Sequence, residues 1–147
     1  MNVRGMLTQD SVESFLTEST IPVRLGCRTP NDRLWIVALW YRFDGGSIQC
    51  ATAAQADIVR YLQRNPDVAF DVSTNDPPYR GVRGNGTASV DADPEKEVLR
   101  GLLDRYLGGD ESPLARRLLS DDRDEVTITV EPESVYGWDY SERMKGR

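Results

Sequence analysis

With 147 residues the chain has room for one domain with a real core. It carries a net charge of −6 and contains no histidine. That composition argues against a nucleic-acid partner, which needs a basic patch, and rules out every Ser-His-Asp arrangement. A zinc site would lack its usual ligands. No run approaches the roughly 18 apolar residues of a membrane span, and the opening "MNVRGMLTQD" lacks a signal peptide's apolar stretch, so a cytoplasmic address is expected.

In chain order, "DSVESFLTE" (10–18) has Asp10 in a capping position and Val12, Phe15 and Leu16 at helical spacing, which predicts a short amphipathic helix. "PVRLGC" (22–27) and "RLWIVALWYRF" (33–43) read as strands, "DGG" (44–46) as a hairpin turn and "SIQCAT" (47–52) as the returning strand of a three-strand meander. Helical spacing returns over 54–64 and stops at Asn65-Pro66; "DVAFDVS" (67–73) then alternates as a strand. A helix is expected over 93–109, with Asp93 as cap and Pro94 at its first position, and a shorter one over 112–120. "EVTITVE" (125–131) and "SVYGWDY" (134–140), split by Pro132, predict a closing hairpin, with 141–147 as a frayed tail.

The stretch "NDPPYRGVRGNGTASV" (75–90) contains Gly81, Gly84 and Gly86. A dinucleotide fingerprint requires a helix directly after its glycines, but strand-like "TASV" follows. The glycines therefore mark bulges or close approach in a long bent strand. Within it, Tyr79, Arg80 and Arg83 are the residues with binding chemistry. An arginine fork there could hold a phosphate or carboxylate, against the plainer reading of a surface arginine paired with one of the many acids.

Other features have plain explanations. "DADPE" (91–95) reads as helix capping and "SDDRDE" (120–125) as a solvated loop, so no metal is expected. "NGT" (85–87) matches a glycosylation acceptor inside an expected cytoplasmic strand and is set aside. Trp35, Trp40, Tyr41 and Trp138 suit core or interface packing. Three tryptophans and six tyrosines are more aromatic surface than one small barrel hides, which favours a symmetric homodimer. Cys27 and Cys50 read as buried thiols. On meander strands two apart they would lie about 10 Å from each other, beyond disulfide reach. The fold class that follows is mainly β: an antiparallel barrel of about six or seven strands with three or four peripheral helices, in one domain spanning 1–147 with its core over roughly 10–140.

The order of elements resembles the pyridoxamine 5′-phosphate oxidase-like family, the flavin-binding split β-barrels that also include deazaflavin (F420)-dependent reductases. The resemblance rests on "LGCRTPNDRLWIVALWYRFDGGSIQCAT", "IVRYLQRNPDVAFDV", "PPYRGVRGNGTASV" and "VYGWDY" in that order. It implies paired barrels with flavin mononucleotide (FMN) in a groove between them. The ring edge would be held by main-chain groups of Ile36, Val37, Ala38 and Leu39, and the phosphate touched by Thr52. At the start of the next helix, where the family places an Arg-Lys pair on the phosphate, this chain has Asp57 and Ile58. Arg60 and Arg80 are the candidates to replace those cations. Tyr41 stands where the oxidase proper often has lysine, so authentic pyridoxamine phosphate oxidase activity is not expected. Three readings follow: an FMN- or F420-dependent oxidoreductase on an unidentified small molecule, a non-enzymatic barrel binding another ligand, and a dimer with a structural or interaction role.

Overall fold

The computed structural model describes residues 1–145. The elements are β1 (Asn2–Gly5), α1 (Gln9–Glu18), β2 (Val23–Arg28), β3 (Leu34–Leu39), β4 (Tyr41–Asp44), β5 (Ser47–Ala53), α2 (Asp57–Arg64), β6 (Asp67–Ser73), β7 (Arg80–Ala92), α3 (Glu97–Leu107), α4 (Pro113–Leu118) and β8 (Glu125–Asp139). Seven strands follow one hydrogen-bonded path, β3-β2-β6-β7-β8-β5-β4, and β1 adds to β8 in parallel. The rest pair antiparallel, giving the mainly β, curled split barrel with four helices that the sequence predicts.

The expected strand 33–43 is two strands. β3 pairs with β2, β4 pairs with β5, and the chain passes at Trp40 from one end of the hydrogen-bonded path to the other. Leu39 and Tyr41, on either side of Trp40, thus belong to strands at opposite ends of the hydrogen-bonded path, which is where the barrel is split. The β4–β5 turn is the expected hairpin: Gly45 and Gly46 take φ of 59° and 84°, as a two-residue turn requires.

The closing hairpin is not formed. Residues 125–139 make one long strand, because Pro132 sits at a bulge instead of a turn: pairing moves from Asn85–Ser134 to Gly86–Pro132 and leaves Glu133 as the extra residue. The missing proline N–H costs nothing at a site where the ladder is already interrupted. The glycines opposite allow the approach. A Cβ on Gly84 would stand 2.3 Å from the Ser134 carbonyl oxygen, and one on Gly86 2.3 Å from that of Glu131.

Helix boundaries differ in detail. Thr8, not Asp10, caps α1, its hydroxyl accepting the Ser11 N–H at 3.2 Å. Pro94 lies in a turn ahead of α3, while the Asp93 carboxylate accepts the N–H groups of Glu97 and Val98 at 3.0 and 3.1 Å. Residues 141–145 of the expected tail form turns, with the Met144 N–H donating to the Tyr140 carbonyl; 146 and 147 lie outside the described residues.

The main core lies inside the curl, where α1 and α2 bury Val12, Phe15, Leu16, Ile58, Val59 and Leu62. A smaller cluster of Leu99, Leu103 and Ala115 fixes α3 and α4 against Trp40 and Ala51. Arg105 on α3 reaches the end of α1, donating to the carbonyls of Leu16, Thr17 and Ser19, which the helix itself leaves unpaired.

Gly86→Ala and Gly84→Ala should each destabilise the fold by about 3 kcal/mol, since the new Cβ meets backbone that cannot rotate away. Urea unfolding of the two variants checks this; stabilities within about 0.5 kcal/mol of wild type would show that the bend does not need the close contact.

Candidate functional site

β3 is the terminal strand of the path and bonds to β2 alone, so the main-chain groups on its other edge have no strand partner. Those of Ile36, Val37, Ala38 and Leu39 that point away from β2 are available to a ligand edge. Side chains alternate along it: Trp35, Val37 and Leu39 pack against the core, while Leu34 and Ile36 are 80% and 68% exposed. Trp35 meets Tyr61 edge-on at 5.2 Å, which joins β3 to α2.

At the start of α2, Ala56 occupies the cap position with no side-chain oxygen to offer, leaving first-turn N–H groups without a cap. Such an end favours an anion. Thr52, half-buried near the end of β5, precedes it by five residues. The side chains there do not supply the cation pair. Asp57 forms an ion pair with Arg60 at 3.3 Å, and Ile58 is buried in the core. Arg60 also lies 5.3 Å from the centre of the Tyr61 ring.

The other two candidates lie elsewhere. Val126 pairs with both Thr52 and Ala92, while Arg80 opens β7 at its opposite end, twelve residues away along the strand. Arg80 lies over Phe15 at 5.4 Å and beside Asp139, whose carboxyl is held below its usual value by hydrogen bonds from Ser141, with a smaller contribution from Arg80. Tyr79 bonds to the C-terminal turn, accepting the Tyr140 N–H at 2.9 Å. Within one chain, then, Arg60 lies on α2 next to Tyr61, which meets Trp35 of β3, Thr52 lies near the end of β5, and Tyr79 and Arg80 stand at the other end of β7 from Ala92.

Tyr41 is fully buried and its hydroxyl donates to the Leu16 carbonyl at 2.7 Å, so it serves the core. Desolvation pushes its pKa to about 12. Both cysteines are buried free thiols as expected, although β6, β7 and β8 stand between their strands in place of a single strand. Burial raises both, Cys50 to about 12. Cys27 borders an apolar recess of about 640 Å³ between β3 and β6. Among the described residues no group of acids and cysteines is placed to hold a metal ion, and no helix is long and apolar enough to cross a membrane.

A second recess, of about 490 Å³, lies on the outer face of β2, β6, β7 and β8. Arg4, Arg24 and Arg83 line it. Sequence reasoning picked out Arg83 alone. Arg24 occupies an outward phase of an alternating strand, which was legible, but its alignment with Arg83 needs the register between strands.

Residues 8–138 match the family profile described as pyridoxamine 5′-phosphate oxidase. The chain belongs to that family. Comparison with curated proteins gives no match. Among solved structures, a conserved hypothetical protein of Mycobacterium tuberculosis has a TM-score of 0.79 at 21% identity, covering 97% of this chain and 91% of that one. A protein named F420 reductase has a TM-score of 0.73 at 27% identity, over 87% and 98%. A FAD-binding protein of Mesorhizobium loti, with a TM-score of 0.63 at 16% identity over 88% and 92%, shares the fold.

Burial gives Cys50 and Tyr41 a pH signature. Unfolded, the Cys50 thiol ionises near its ordinary 9.0 and Tyr41 near 10.0, whereas folded both stay protonated to about 12. Between those limits the unfolded state binds fewer protons, so the contribution of these two groups is constant from neutral pH to about 9, and stability should fall from there to pH 12. Urea melts across that range test it, and a flat profile would mean that neither group is desolvated. At pH 8 the native thiols should react slowly with a disulfide reagent, Cys27 ahead of Cys50, and both rapidly in urea.

Proposed function

We propose that the protein is an oxidoreductase that uses a flavin-type ring cofactor as a homodimer, with F420 preferred to FMN. The observation that carries the reading is the unpaired outer edge of β3 at Ile36–Leu39, a row of main-chain donors and acceptors suited to the polar edge of such a ring. When bound, the cofactor supplies hydride transfer, so the chain needs no histidine acid or base. Its own residues bind and orient: the β3 main chain fixes the ring edge, while Trp35 and Tyr61 close the space behind it against water. Thr52 and the uncapped N–H groups of α2 provide the phosphate contact.

The preference for F420 follows from Asp57 and Ile58. FMN depends on its one terminal phosphate, and here that group would meet a carboxylate, only partly offset by Arg60. The 27% identity to a protein named F420 reductase supports the same choice. Support for the dimer comes from Leu34 and Ile36, large apolar side chains side by side on an open strand.

Fluorescence titration with both cofactors tests the proposal. F420 should bind at least about ten-fold tighter than FMN, a difference of about 1.4 kcal/mol. Asp57→Arg should strengthen FMN binding about ten-fold or more by gaining a charge-assisted contact. Lysine at position 58 is unsuitable, because Ile58 is only 3% exposed. Tight FMN binding insensitive to Asp57→Arg would overturn the cofactor preference, and binding of neither cofactor would overturn the oxidoreductase reading. Sedimentation should give a dimer that Ile36→Glu dissociates.

A further inference from the structure

The two acidic stretches 91–95 and 120–125, whose plain readings are helix capping and a solvated loop, meet in the fold. The Asp93 N–H donates to the Glu125 carbonyl at 3.0 Å and the Ala54 N–H to that of Asp124 at 2.8 Å. These bonds tie together the turn before α3, the loop before β8 and the chain leaving β5. Between them lies a recess of about 430 Å³, whose lining includes no residue of β3 or α2.

Three charged residues are buried there: Asp93 and Lys96, each 8% exposed, and Glu125, 4% exposed. Asp93 is satisfied by the N–H groups of Glu97 and Val98. Glu125 is satisfied on one side only. Arg123 directs both Nε and Nη2 to Oε1, at 3.2 and 2.9 Å, while the buried Oε2 finds no donor in the protein. A fork that engaged both oxygens would have paired the whole carboxylate; this one leaves a desolvated acceptor unmet. Lys96 has the opposite defect. Its ammonium donates to the Ser120 carbonyl at 2.6 Å but forms no ion pair with a described residue, although Glu125 lines the same recess. It also occupies an unfavourable place, the cap of α3 at φ 56° and ψ 36°, where a left-handed backbone and the helix dipole both disfavour lysine.

A buried acceptor without a donor and a buried ammonium without an anion, in one recess and not joined to each other, complement a ligand that carries both groups. We propose that this recess binds a basic α-amino acid. Its carboxylate meets the Lys96 ammonium, and its α-ammonium meets Oε2 of Glu125. Arg123, whose side chain is 37% exposed against 1% for Glu125, is the movable partner and shifts outward as the ammonium enters. The side-chain cation stays at the mouth, with the exposed Asp121 and Asp124. Four carboxylates to two cations line the recess, which favours a ligand of net positive charge. The site is independent of the ring contact proposed for β3, since it rests on different residues and on no cofactor.

The test is calorimetric titration of the full chain with L-lysine. Cadaverine, which lacks the carboxylate, and L-norleucine, which lacks the side-chain ammonium, are the controls. Lysine should bind at least about ten-fold tighter than either. Lys96→Gln should bring lysine down to the cadaverine level without weakening cadaverine itself, and Glu125→Gln should weaken all three. Asp121→Asn combined with Asp124→Asn, both at exposed positions, should bring lysine down to the norleucine level and leave norleucine unchanged. Loss confined to one probe is a pattern that a misfolded variant cannot imitate. Lysine that fails to bind, binds no tighter than cadaverine or norleucine, or binds the variants as it binds wild type would overturn the proposal.

Discussion

The close pairing of β7 with β8 is the constraint on which the rest of the molecule depends. These strands run together from Arg80–Asp139 to Ala92–Val126 and form the only hydrogen-bonded link between the β3-β2-β6 side and the β5-β4 side among the described residues. At Gly86 and Pro132 the ladder shifts by one residue, and a bulge there adds bend and twist. Curling the two sides towards each other encloses the core and brings β3 and β4, joined through Trp40, to the split.

The split creates both the opportunity and the problem of this fold. It leaves β3 as a terminal strand, and such an edge either invites another chain or holds a ligand. Around it the structure is anchored: Trp40 stacks on Tyr106 at 5.2 Å, and Arg105 joins the end of α1 to α3 beside the buried Tyr41. A strand edge anchored in this way keeps its unpaired main-chain groups in fixed positions.

Covering is also uneven. α3 and α4 pack over Trp40 and Ala51 and bury the outer side of the β5 region, so the first half of β8 is hidden on both faces. Among the described residues no corresponding helix covers the outer side of β2, β6 and β7. That bare face carries Arg4, Arg24 and Arg83, with Asp71 between the last two. The local charge at this surface therefore has the opposite sign to the net charge, and local potential governs what binds.

The sequence by itself determined most elements, because alternation, helical spacing and turn residues are local signals. It also determined the family, the buried thiols, and the absence of cations at positions 57 and 58. Three matters were decided by the tertiary structure alone. Residues 33–43 divide at Trp40 because each half finds a different partner, and no local pattern records partnership. Residues 125–139 stay one strand because Pro132 faces a glycine bulge on β7, which a reading of β8 alone could not supply. Arg80 stands far along β7 from the strand position level with Thr52, and Arg24 joins Arg83, for one reason: register between strands distant in sequence sets which side chains are neighbours, and it is fixed by packing of the whole barrel.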